Sequence, residues 1–329
     1  MKVLITGCAG LLGTHFSKYL LDNDVSVVGI DNLSGGYRSF IDPRLNFYKV
    51  DLCDQDKLEE IFLNEDFDYV FHFAAYAAEG LSHWIRNFNY TNNVLCSVNV
   101  INLCVKYQVK KIIFTSSMAV YGSQTPPFTE DMKPAPEDPY GIAKFAVEQD
   151  LKSAFDHFGL RYSIVRPHNV IGVNQNIWDR YRNVIGIWIR KILAGEDITV
   201  FGDGMQERSF SDIRYYMKPF YDLMFEHDSE TFNIGADEKV TILDAAKLIQ
   251  KIGFSYGYDS KLVHYEPRNE VKFAYSDQTK AKNLLSFKDE TDLETTFREM
   301  FVWAMDQPER EVKTIDYELE TKMYSFWRK

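Results

Sequence analysis

Cysteine is scarce in this sequence, and long apolar runs are absent. The four cysteines are Cys8, Cys53, Cys96 and Cys104. They form no Cys-x-x-Cys pair and no cluster with histidine at metal-ligand spacing, so we expect buried thiols and no metal. No segment approaches the ~18 uninterrupted apolar residues of a membrane helix, and the apolar start is broken at Gly7, before it could form a signal peptide. These absences predict a cytoplasmic protein with no membrane partner.

Positive charge is also in deficit. The chain has 37 Lys and Arg against 48 Asp and Glu, a net charge of −11. This acidity disfavours nucleic acids and anionic membranes as partners, so any phosphate must be bound by a few local arginines. The 45% hydrophobic content over 329 residues, with neither a repeat nor a low-complexity linker, predicts a globular protein large enough for two unequal lobes.

The amino terminus has the pattern of a dinucleotide site. Lys2 to Gly7 is apolar and typical of a buried strand, and Gly7-x-x-Gly10-x-x-Gly13 leads into an apolar-periodic helix. Gly7 suits a tight turn, Gly10 lets the backbone approach a pyrophosphate at the helix amino terminus, and Gly13 permits close packing of helix on strand. The strand, turn and helix together predict bound dinucleotide.

The second strand, Val25 to Ile30, ends in an acid. Asp31 follows Gly13 by 18 residues, close to the ~20 at which a carboxylate holds the adenosine ribose. Because a carboxylate repels a 2′-phosphate, the pattern favours NAD over NADP. Arg38 is near enough in sequence to keep NADP as the alternative.

Strand and helix signals alternate through the first half of the chain. Further strands are predicted at Asn46 to Val50, Tyr69 to Phe73, Lys111 to Ser116 and Arg161 to Arg166. Helical patterns lie near Asp54 to Leu63, Tyr90 to Tyr107, Pro139 to Phe158, Asn183 to Leu193, Thr241 to Ile252 and Thr291 to Met305. The alternation predicts an α/β protein with a Rossmann-type doubly wound parallel sheet and a smaller C-terminal α/β substrate lobe. We assign residues 1–168 and about 209–236 to the NAD-binding domain, and 169–208 and 237–329 to the substrate lobe.

Three residues have the character of an acid/base device beside a nicotinamide ring. Tyr140 and Lys144 lie four residues apart on one face of a helix that Asp138 can cap, and Ser117 ends the strand before that helix. A free tyrosine has a pKa near ~10, but a nearby lysine cation and an oxidised nicotinamide both favour its phenolate. We therefore predict Ser117, Tyr140 and Lys144 as catalytic residues.

These motifs resemble the extended short-chain dehydrogenase/reductases of the nucleotide-sugar epimerase/dehydratase group, most closely those of the UDP-glucose 4-epimerase type. The resemblance also rests on Asp31-Asn-Leu, His72-Phe-Ala-Ala, Ser116-Ser117-Met-Ala-Val-Tyr-Gly122 and Arg166-Pro-His-Asn169-Val. It implies an NAD-dependent nucleotide-sugar 4-epimerase, with a UDP-sugar favoured. It also implies a homodimer through the helices near Tyr90 to Tyr107 and Pro139 to Phe158. Both carry apolar residues beyond one face, such as Val94, Val98, Leu103, Phe145, Leu151 and Phe155.

The resemblance implies site residues by position. Cofactor contacts are expected from Gly7, Gly10, Leu11, Leu12, Gly13, Asp31, Asn32, Asp51, Leu52, Phe73, Ala74, Ala75, Asn93, Ser116, Tyr140, Lys144 and Pro167. Substrate contacts are expected from Glu79, Ser117, Met118, Asn169, Asn183, Val184, Phe201, Arg208 and Arg268. Among these, Asp51 and Leu52 are expected at the adenine, Asn93 in support of the site, and the two arginines at the diphosphate, since a guanidinium binds phosphate oxygens bidentately.

Departures from the family pattern define the alternatives. Dehydratases that resemble this chain have an Asp-Glu pair after the serine, and 3,5-epimerases have a cysteine there, whereas Met118 and Ala119 cannot move a proton. A reductase, dehydratase or 3,5-epimerase is the enzymatic alternative, and an NAD-binding redox sensor is the non-enzymatic one. The segment Ala75 to Arg86, beside the sugar in the family, is unusual, so the sugar stays open.

Four further side chains have either a structural or a functional interpretation. His72 is interpreted as a packed strand histidine, and His168 is a weaker candidate for a second acid. Glu79 and His83 lie in the unusual segment, where sugar contact and simple solvation are equally supported. The charged stretch Pro308 to Lys322 alternates in sign and is interpreted as an exposed face.

Overall fold

Parallel strands form the centre of the protein, seen in a computed structural model that describes residues 1–268 and 270–327. In chain order the strands are β1 Lys2–Thr6, β2 Ser26–Asp31, β3 Asn46–Lys49, β4 Tyr69–His72, β5 Lys111–Thr115, β6 Tyr162–Pro167, β7 Val170–Ile171, β8 Ile198–Phe201, β9 Glu207–Arg208, β10 Ser211–Asp212, β11 Glu230–Ile234, β12 Val240–Thr241, β13 Leu262–Tyr265 and β14 Phe273–Ala274. The helices are α1 Leu11–Asp22, α2 Gln55–Glu65, α3 Arg86–Tyr90, α4 Cys96–Lys106, α5 Pro139–Phe158, α6 Val184–Leu193, α7 Met217–Asp222, α8 Ile242–Ser255, α9 Thr279–Leu284 and α10 Leu293–Met305. No helix in these two described ranges is long and apolar enough to cross a membrane.

The central sheet has seven strands in the order β11-β6-β5-β4-β1-β2-β3, and all its pairings are parallel. The strand order reverses between β1 and β4, which is the switch point where such sheets bind ligands. The predicted doubly wound sheet is confirmed, and the ends of its six predicted strands lie within one residue of the observed ones. Local β-branched and apolar runs sufficed here because parallel strands are buried on both faces.

Helices cover both faces of this sheet. On one face α1 and α7 pack around Phe16, Tyr216 and Phe220, and on the other α2, α4 and α5 pack around residues such as Leu58 and Val100. A separate apolar cluster joins α6, α8 and α10 to β8 in the C-terminal half. β11 returns to the central sheet beside β6, which agrees with assigning residues 209–236 to the first domain, although the domain bounds stay a prediction.

The helix that carries Tyr140 begins and ends where the sequence predicts. The Asp138 carboxylate accepts hydrogen bonds from the backbone N–H groups of Tyr140 and Gly141, both at 2.9 Å, and Pro139 occupies the first turn. Gly159 ends α5 in the left-handed conformation, with φ of 73°. These caps fix the position of the first turn, and therefore of the Tyr140 phenol.

The predicted helix from Tyr90 to Tyr107 is not continuous. A π-helical turn, Thr91–Leu95, separates α3 from α4. Within this turn the buried Asn93 side chain accepts from the backbone N–H of Tyr76 at 2.9 Å and donates to its carbonyl at 3.1 Å. The turn thereby ties the helix to the segment that follows β4, and such bulges are frequent at functional sites.

Candidate active site

A cavity of about 1540 Å³ opens beyond the carboxyl ends of the central strands. It exceeds the ~300–1,000 Å³ of a typical small-molecule site, so a dinucleotide and a second ligand fit together. The sequence-predicted residues that line it are Gly7, Gly10, Leu11, Leu12, Gly13, Asp31, Asn32, Asp51, Leu52, Phe73, Ala74, Ala75, Glu79, Ser116, Ser117, Met118, Tyr140, Lys144, Pro167, Asn169, Asn183, Val184, Phe201, Arg208 and Arg268. Asn93 is the exception: it lies behind the wall, where its bonds to Tyr76 hold the lining backbone.

The glycine turn between β1 and α1 fits a pyrophosphate. A Cβ on Gly13 would lie 2.3 Å from the Gly7 carbonyl oxygen, so only glycine allows the helix to approach this closely. Gly7 has φ of 71°, and a Cβ there would lie 2.7 Å from the Ala74 nitrogen. Within the part of the chain that the structure describes, no side chain caps α1, and the first turn of this helix has no acid, which leaves its amino terminus suited to an anion.

Asp31 lies at the end of β2 with its carboxylate held by the backbone. Its two oxygens accept from the N–H groups of Ala9 at 3.0 Å and Leu33 at 2.7 Å. Burial raises the pKa of Asp31, and these two hydrogen bonds act against that rise. One loop further, Asp51 accepts from the Asn32 side chain at 2.9 Å. Asp31 thus ends β2, and Asp51 comes just after the neighbouring strand β3. This placement suits the predicted ribose and adenine contacts.

Three cations lie in the region of Asp31, and each has a partner in the protein. Arg38 stacks over the Phe47 ring at 4.3 Å and is not among the residues that line the cavity. Arg182 donates to Asp179 at 2.9 Å, and Lys313 donates to the Ser34 carbonyl at 2.6 Å. Arg38, the residue that suggested NADP, is therefore turned toward an aromatic ring.

Ser117, Tyr140 and Lys144 are brought together on the cavity wall. Ser117 begins a short 3₁₀ helix, Met118–Tyr121, and its hydroxyl accepts from the Ala119 N–H at 3.1 Å. The Lys144 Nζ lies 5.9 Å from the centre of the Tyr140 ring and donates to the Thr115 carbonyl at 2.8 Å. The sequence spacing across a strand and a helix therefore produces a single cluster in space.

Burial perturbs both ionisable members of this cluster. It raises the pKa of Tyr140, while a hydrogen bond with Ser117 acts in the opposite direction. Burial lowers the pKa of Lys144 to about 7, and the negative charge of Glu148 opposes this. Shifted acid/base groups in one cavity are typical of an active site. A bound oxidised nicotinamide, being cationic, would favour the Tyr140 phenolate against the effect of burial.

A buried polar network is centred on Glu148, one helical turn after Lys144 on α5. Glu148 accepts from both Nε and Nη2 of Arg166, at 2.9 and 2.6 Å, and from the Ser116 hydroxyl at 2.5 Å. Arg166 also donates to the Tyr121 hydroxyl at 2.8 Å. Every member thus has a partner, and the network fixes the backbone of α5 and the end of β5 relative to each other.

At the far end of the cavity, two arginines contact the same glutamate. Arg208 and Arg268 lie 3.4 and 3.5 Å from the same carboxylate oxygen of Glu270. Arg268 also stacks on the Phe201 ring at 4.2 Å, and burial lowers the pKa of Arg208. Two partly desolvated guanidinium groups that converge in this way are suited to binding phosphate oxygens, as the sequence predicts for these two arginines.

The two asparagines at this end have structural partners as well as cavity exposure. Asn183 caps α6 by accepting from the Ile185 N–H at 3.1 Å, and Val184 follows it. Asn169 donates to the Ser209 carbonyl at 3.2 Å. Their side chains are therefore held in place before any ligand binds.

The unusual segment after β4 forms part of the cavity wall. Glu79 and His83 both line it, and Glu79 starts a 3₁₀ helix, Glu79–Trp84. Although Glu79 is open to the water of the cavity, the surrounding walls and the charge of Asp138 raise its pKa to about 7. The Glu79 carboxylate lies close enough to Tyr140 for its charge to raise the pKa of that phenol.

The two buried histidines differ in their partners. The ring of His72 lies 2.7 Å from the Thr6 hydroxyl and 2.8 Å from that of Ser97, which confirms a packed strand histidine. Neither ring nitrogen of His168 has a hydrogen-bond partner within the described residues, and burial lowers its pKa to about 3. His168 is therefore neutral at physiological pH and a poor proton donor.

Sequence reasoning missed the contribution of the C-terminal segment. The stretch interpreted as an exposed face carries cavity-lining residues, and so does the sequence just after it: Val312, Thr314, Lys322, Tyr324, Phe326 and Trp327. Glu318 accepts from the N–H groups at the start of α3, and Trp327 packs on Trp84 with ring centres 5.4 Å apart. The aromatic-rich run from Tyr317 to Trp327 was the available signal, because exposed segments rarely concentrate such residues.

The chain is similar in sequence and in structure to known nucleotide-sugar epimerases. The model of the NAD dependent epimerase/dehydratase family matches residues 3–235. A putative UDP-glucose 4-epimerase of Methanocaldococcus jannaschii is 32% identical over 306 residues, covering 92% of this chain and 97% of that protein. The structure of UDP-glucose 4-epimerase from Thermotoga maritima with UDP-glucose has a TM-score of 0.87 at 32% identity, covering 93% of this chain and 99% of that one. That of UDP-glucuronic acid 4-epimerase from Bacillus cereus, with UDP-glucuronic acid and NAD, has a TM-score of 0.83 at 27% identity and the same coverage.

Proposed function

Because the chain belongs to the NAD dependent epimerase/dehydratase family, we propose that it is an NAD-dependent 4-epimerase of a nucleotide sugar, with a UDP-sugar as substrate. The observation that carries the proposal is the cluster of Ser117, Tyr140 and Lys144 on the wall of a cavity that also contains a dinucleotide cradle. A binding protein that only senses NAD has no need of this proton-transferring cluster.

The residues of the cavity fit NAD. Gly7, Gly10 and the first turn of α1 would hold the pyrophosphate, and the carboxylate of Asp31 would bind the adenosine ribose hydroxyls. When bound, NAD would supply reversible hydride transfer at C4 of the sugar, so the hydrogen on that carbon would not exchange with water. Lys144 and Ser116 would lie at the nicotinamide end.

The proton transfer belongs to Tyr140. Its phenolate would remove the proton of the 4-hydroxyl as C4 is oxidised, and its phenol would return that proton when the ketone is reduced. Ser117 would donate a hydrogen bond to the same sugar oxygen. Lys144, held by the Thr115 carbonyl, would stabilise the phenolate by its charge.

Inversion at C4 requires the keto sugar to turn over while the nucleotide stays bound. Arg208 and Arg268 would hold the diphosphate at the far end, and Phe201 and Val184 would contact the nucleoside. The cavity volume of about 1540 Å³ leaves space for the sugar to rotate. Binding the diphosphate at a distance from the reacting carbon lets one site use both faces of the sugar.

The activity and the sugar can be tested together by incubating the protein with a panel of UDP-, GDP-, dTDP- and CDP-sugars in D₂O. We expect at least one UDP-sugar to give its 4-epimer with unchanged mass and no deuterium on carbon, because the residues of the site move only the hydroxyl proton. No external NADH should be consumed. After the product is returned to H₂O, nuclear magnetic resonance and mass spectrometry measure its configuration, its mass and its carbon-bound deuterium, and the absorbance of NADH measures cofactor consumption.

Other outcomes identify the alternative chemistry. Deuterium at C3 or C5 would reject the 4-epimerase and point to Glu79, whose pKa of about 7 suits an acid/base residue. In that case Glu79→Gln should abolish the exchange. Loss of water would indicate a dehydratase, stoichiometric oxidation of NADH a reductase, and binding of NAD without any turnover a sensor.

We also propose a homodimer in the cytoplasm, formed through α4 and α5. α5 exposes Ile142 (41%), Phe155 (36%) and Phe158 (71%), and the turn before α4 exposes Leu95 (48%). Leu103 and Leu151, which we had expected to be available for the interface, are buried in the protomer's own core. The exposed apolar side chains that remain form a larger apolar surface than is usual for helices that face only water.

Light scattering at micromolar concentration is expected to give twice the mass of one chain. The double variant Leu95→Glu/Phe155→Glu should be monomeric, because it places charge in the interface. Phe254→Glu, at an equally exposed position on α8, is the matched control and should remain dimeric. A wild-type protein that is monomeric under these conditions contradicts the proposal.

A further inference from the structure

Cys53 and Cys96 lie side by side at the adenine end of the cavity. Their sulfur atoms are 2.6 Å apart, whereas a disulfide bond measures ~2.05 Å. Cys53 is half-buried and Cys96 is buried. Cys8 and Cys104 are buried thiols for which no comparable contact is found within residues 1–268 and 270–327. The pair was not predicted from the sequence, because the two cysteines are 43 residues apart.

Both cysteines belong to elements that border the expected adenine site. The Cys53 N–H donates to Asp51 at 2.9 Å, so this cysteine is part of the loop after β3. Cys96 is the first residue of α4, directly after the π-helical turn, and it lines the cavity. A bond between the two sulfurs would tie the Asp51 loop to the start of α4.

A shared metal ion explains the geometry less well. The ligand atoms of Asp51, Cys53 and Cys96 lie within 4.8 Å of one another, which resembles an incomplete metal site. Two thiolates bound tetrahedrally to one zinc ion at ~2.3 Å lie ~3.8 Å apart, and the observed separation is much shorter. The geometry therefore favours direct sulfur–sulfur bonding.

We propose that Cys53 and Cys96 are a redox modification site that forms a reversible disulfide bond, which locks the Asp51 loop against α4 and preserves the adenine pocket. With glutathione disulfide as oxidant, the Cys53 thiolate attacks one of its sulfurs and one glutathione thiolate leaves. The Cys96 thiolate then attacks the Cys53 sulfur and displaces the second glutathione. The two protein thiols lose two protons, and the two electrons reduce glutathione disulfide to two thiols.

The burial of the two cysteines slows this reaction and determines which thiol reacts first. Burial raises the pKa of Cys53 and of Cys96, so the reactive thiolates are rare at neutral pH and bond formation should accelerate as pH rises. Cys53 is the more accessible of the two and is therefore the site of first attack. Once the mixed disulfide forms, the adjacent Cys96 resolves it without rearrangement of the chain.

The test is to equilibrate the reduced full-length protein with glutathione and glutathione disulfide at several ratios. Two of the four thiols should be lost, with a mass decrease of two hydrogen atoms and a peptide cross-link between Cys53 and Cys96. The oxidised protein should unfold about 5 °C higher, since a disulfide constrains the unfolded chain. Cys53→Ser should prevent both the cross-link and the rise in unfolding temperature. Cys104→Ser, the matched control, should prevent neither.

Binding of NAD should be at least as tight in the oxidised protein as in the reduced protein. Calorimetry on both forms measures this, and a loss of affinity of more than tenfold on oxidation would overturn the claim that the pocket is preserved. Four thiols that remain free in excess glutathione disulfide would overturn the site itself. Binding of zinc by these cysteines in the reduced protein, without oxidation, would also overturn the proposed site.

Discussion

Replacing Tyr140 by phenylalanine should lower turnover by at least ~10²-fold, the low end for a positioned general acid/base. The variant removes a single oxygen atom from a residue that is 7% exposed, so the volume of the core is kept. The helix caps at Asp138 and Gly159 do not involve the phenol. We therefore expect folding and NAD binding to persist, which circular dichroism and calorimetry measure alongside the rate.

A matched control separates the loss of the phenol from a general effect of Tyr→Phe substitution. Tyr107 donates to Glu59 at 2.7 Å, and it does not line the cavity, so Tyr107→Phe should keep normal turnover. Ser117→Ala should lower the rate less than Tyr140→Phe, because it removes a hydrogen bond and leaves the proton acceptor. Near-normal activity of Tyr140→Phe would exclude the assigned role of this residue.

The protein should bind NAD at least ~10²-fold more tightly than NADP. The 2′-phosphate of NADP would face the carboxylate of Asp31, and two unit charges 4 Å apart repel each other by about 4 kcal/mol at an effective dielectric constant of about 20. Arg38 offers no compensation, because its guanidinium stacks on Phe47. Titration calorimetry with both cofactors gives the ratio directly.

Two variants test the origin of this preference. Asp31→Asn keeps the shape of the side chain and removes its charge, so it should weaken NAD binding and reduce the discrimination against NADP. Lys313→Met removes a cation whose Nζ is already bonded to the Ser34 carbonyl, and the preference for NAD should persist. Equal affinities in the wild-type protein would mean that Arg182 or Lys313 leaves its partner to bind the 2′-phosphate.

Local sequence patterns predict six of the seven strands of the central sheet and most of the residues that line the cavity. The six strands, the cap at Asp138, the glycine turn and the spacing of Tyr140 from Lys144 depend on residues close together in the chain. Alternation, apolar runs and capping preferences report such local relations directly. The carboxyl ends of parallel strands then meet at one edge, which places Gly7, Asp31 and Ser117 around one cavity.

The distant residues that complete this cavity are identified by the folded structure alone. Lys313 reaches Ser34 across 279 positions and Glu318 reaches Asn87 across 231, so no local pattern could place the C-terminal segment beside the site. Burial and packing also determine the pKa of Glu79, the π-helical turn at Asn93 and the contact of Cys53 with Cys96. The same is true of the ring of His168, which has no hydrogen-bond partner among the described residues. Burial and charge act through space, and the chain brings these groups together only when it folds.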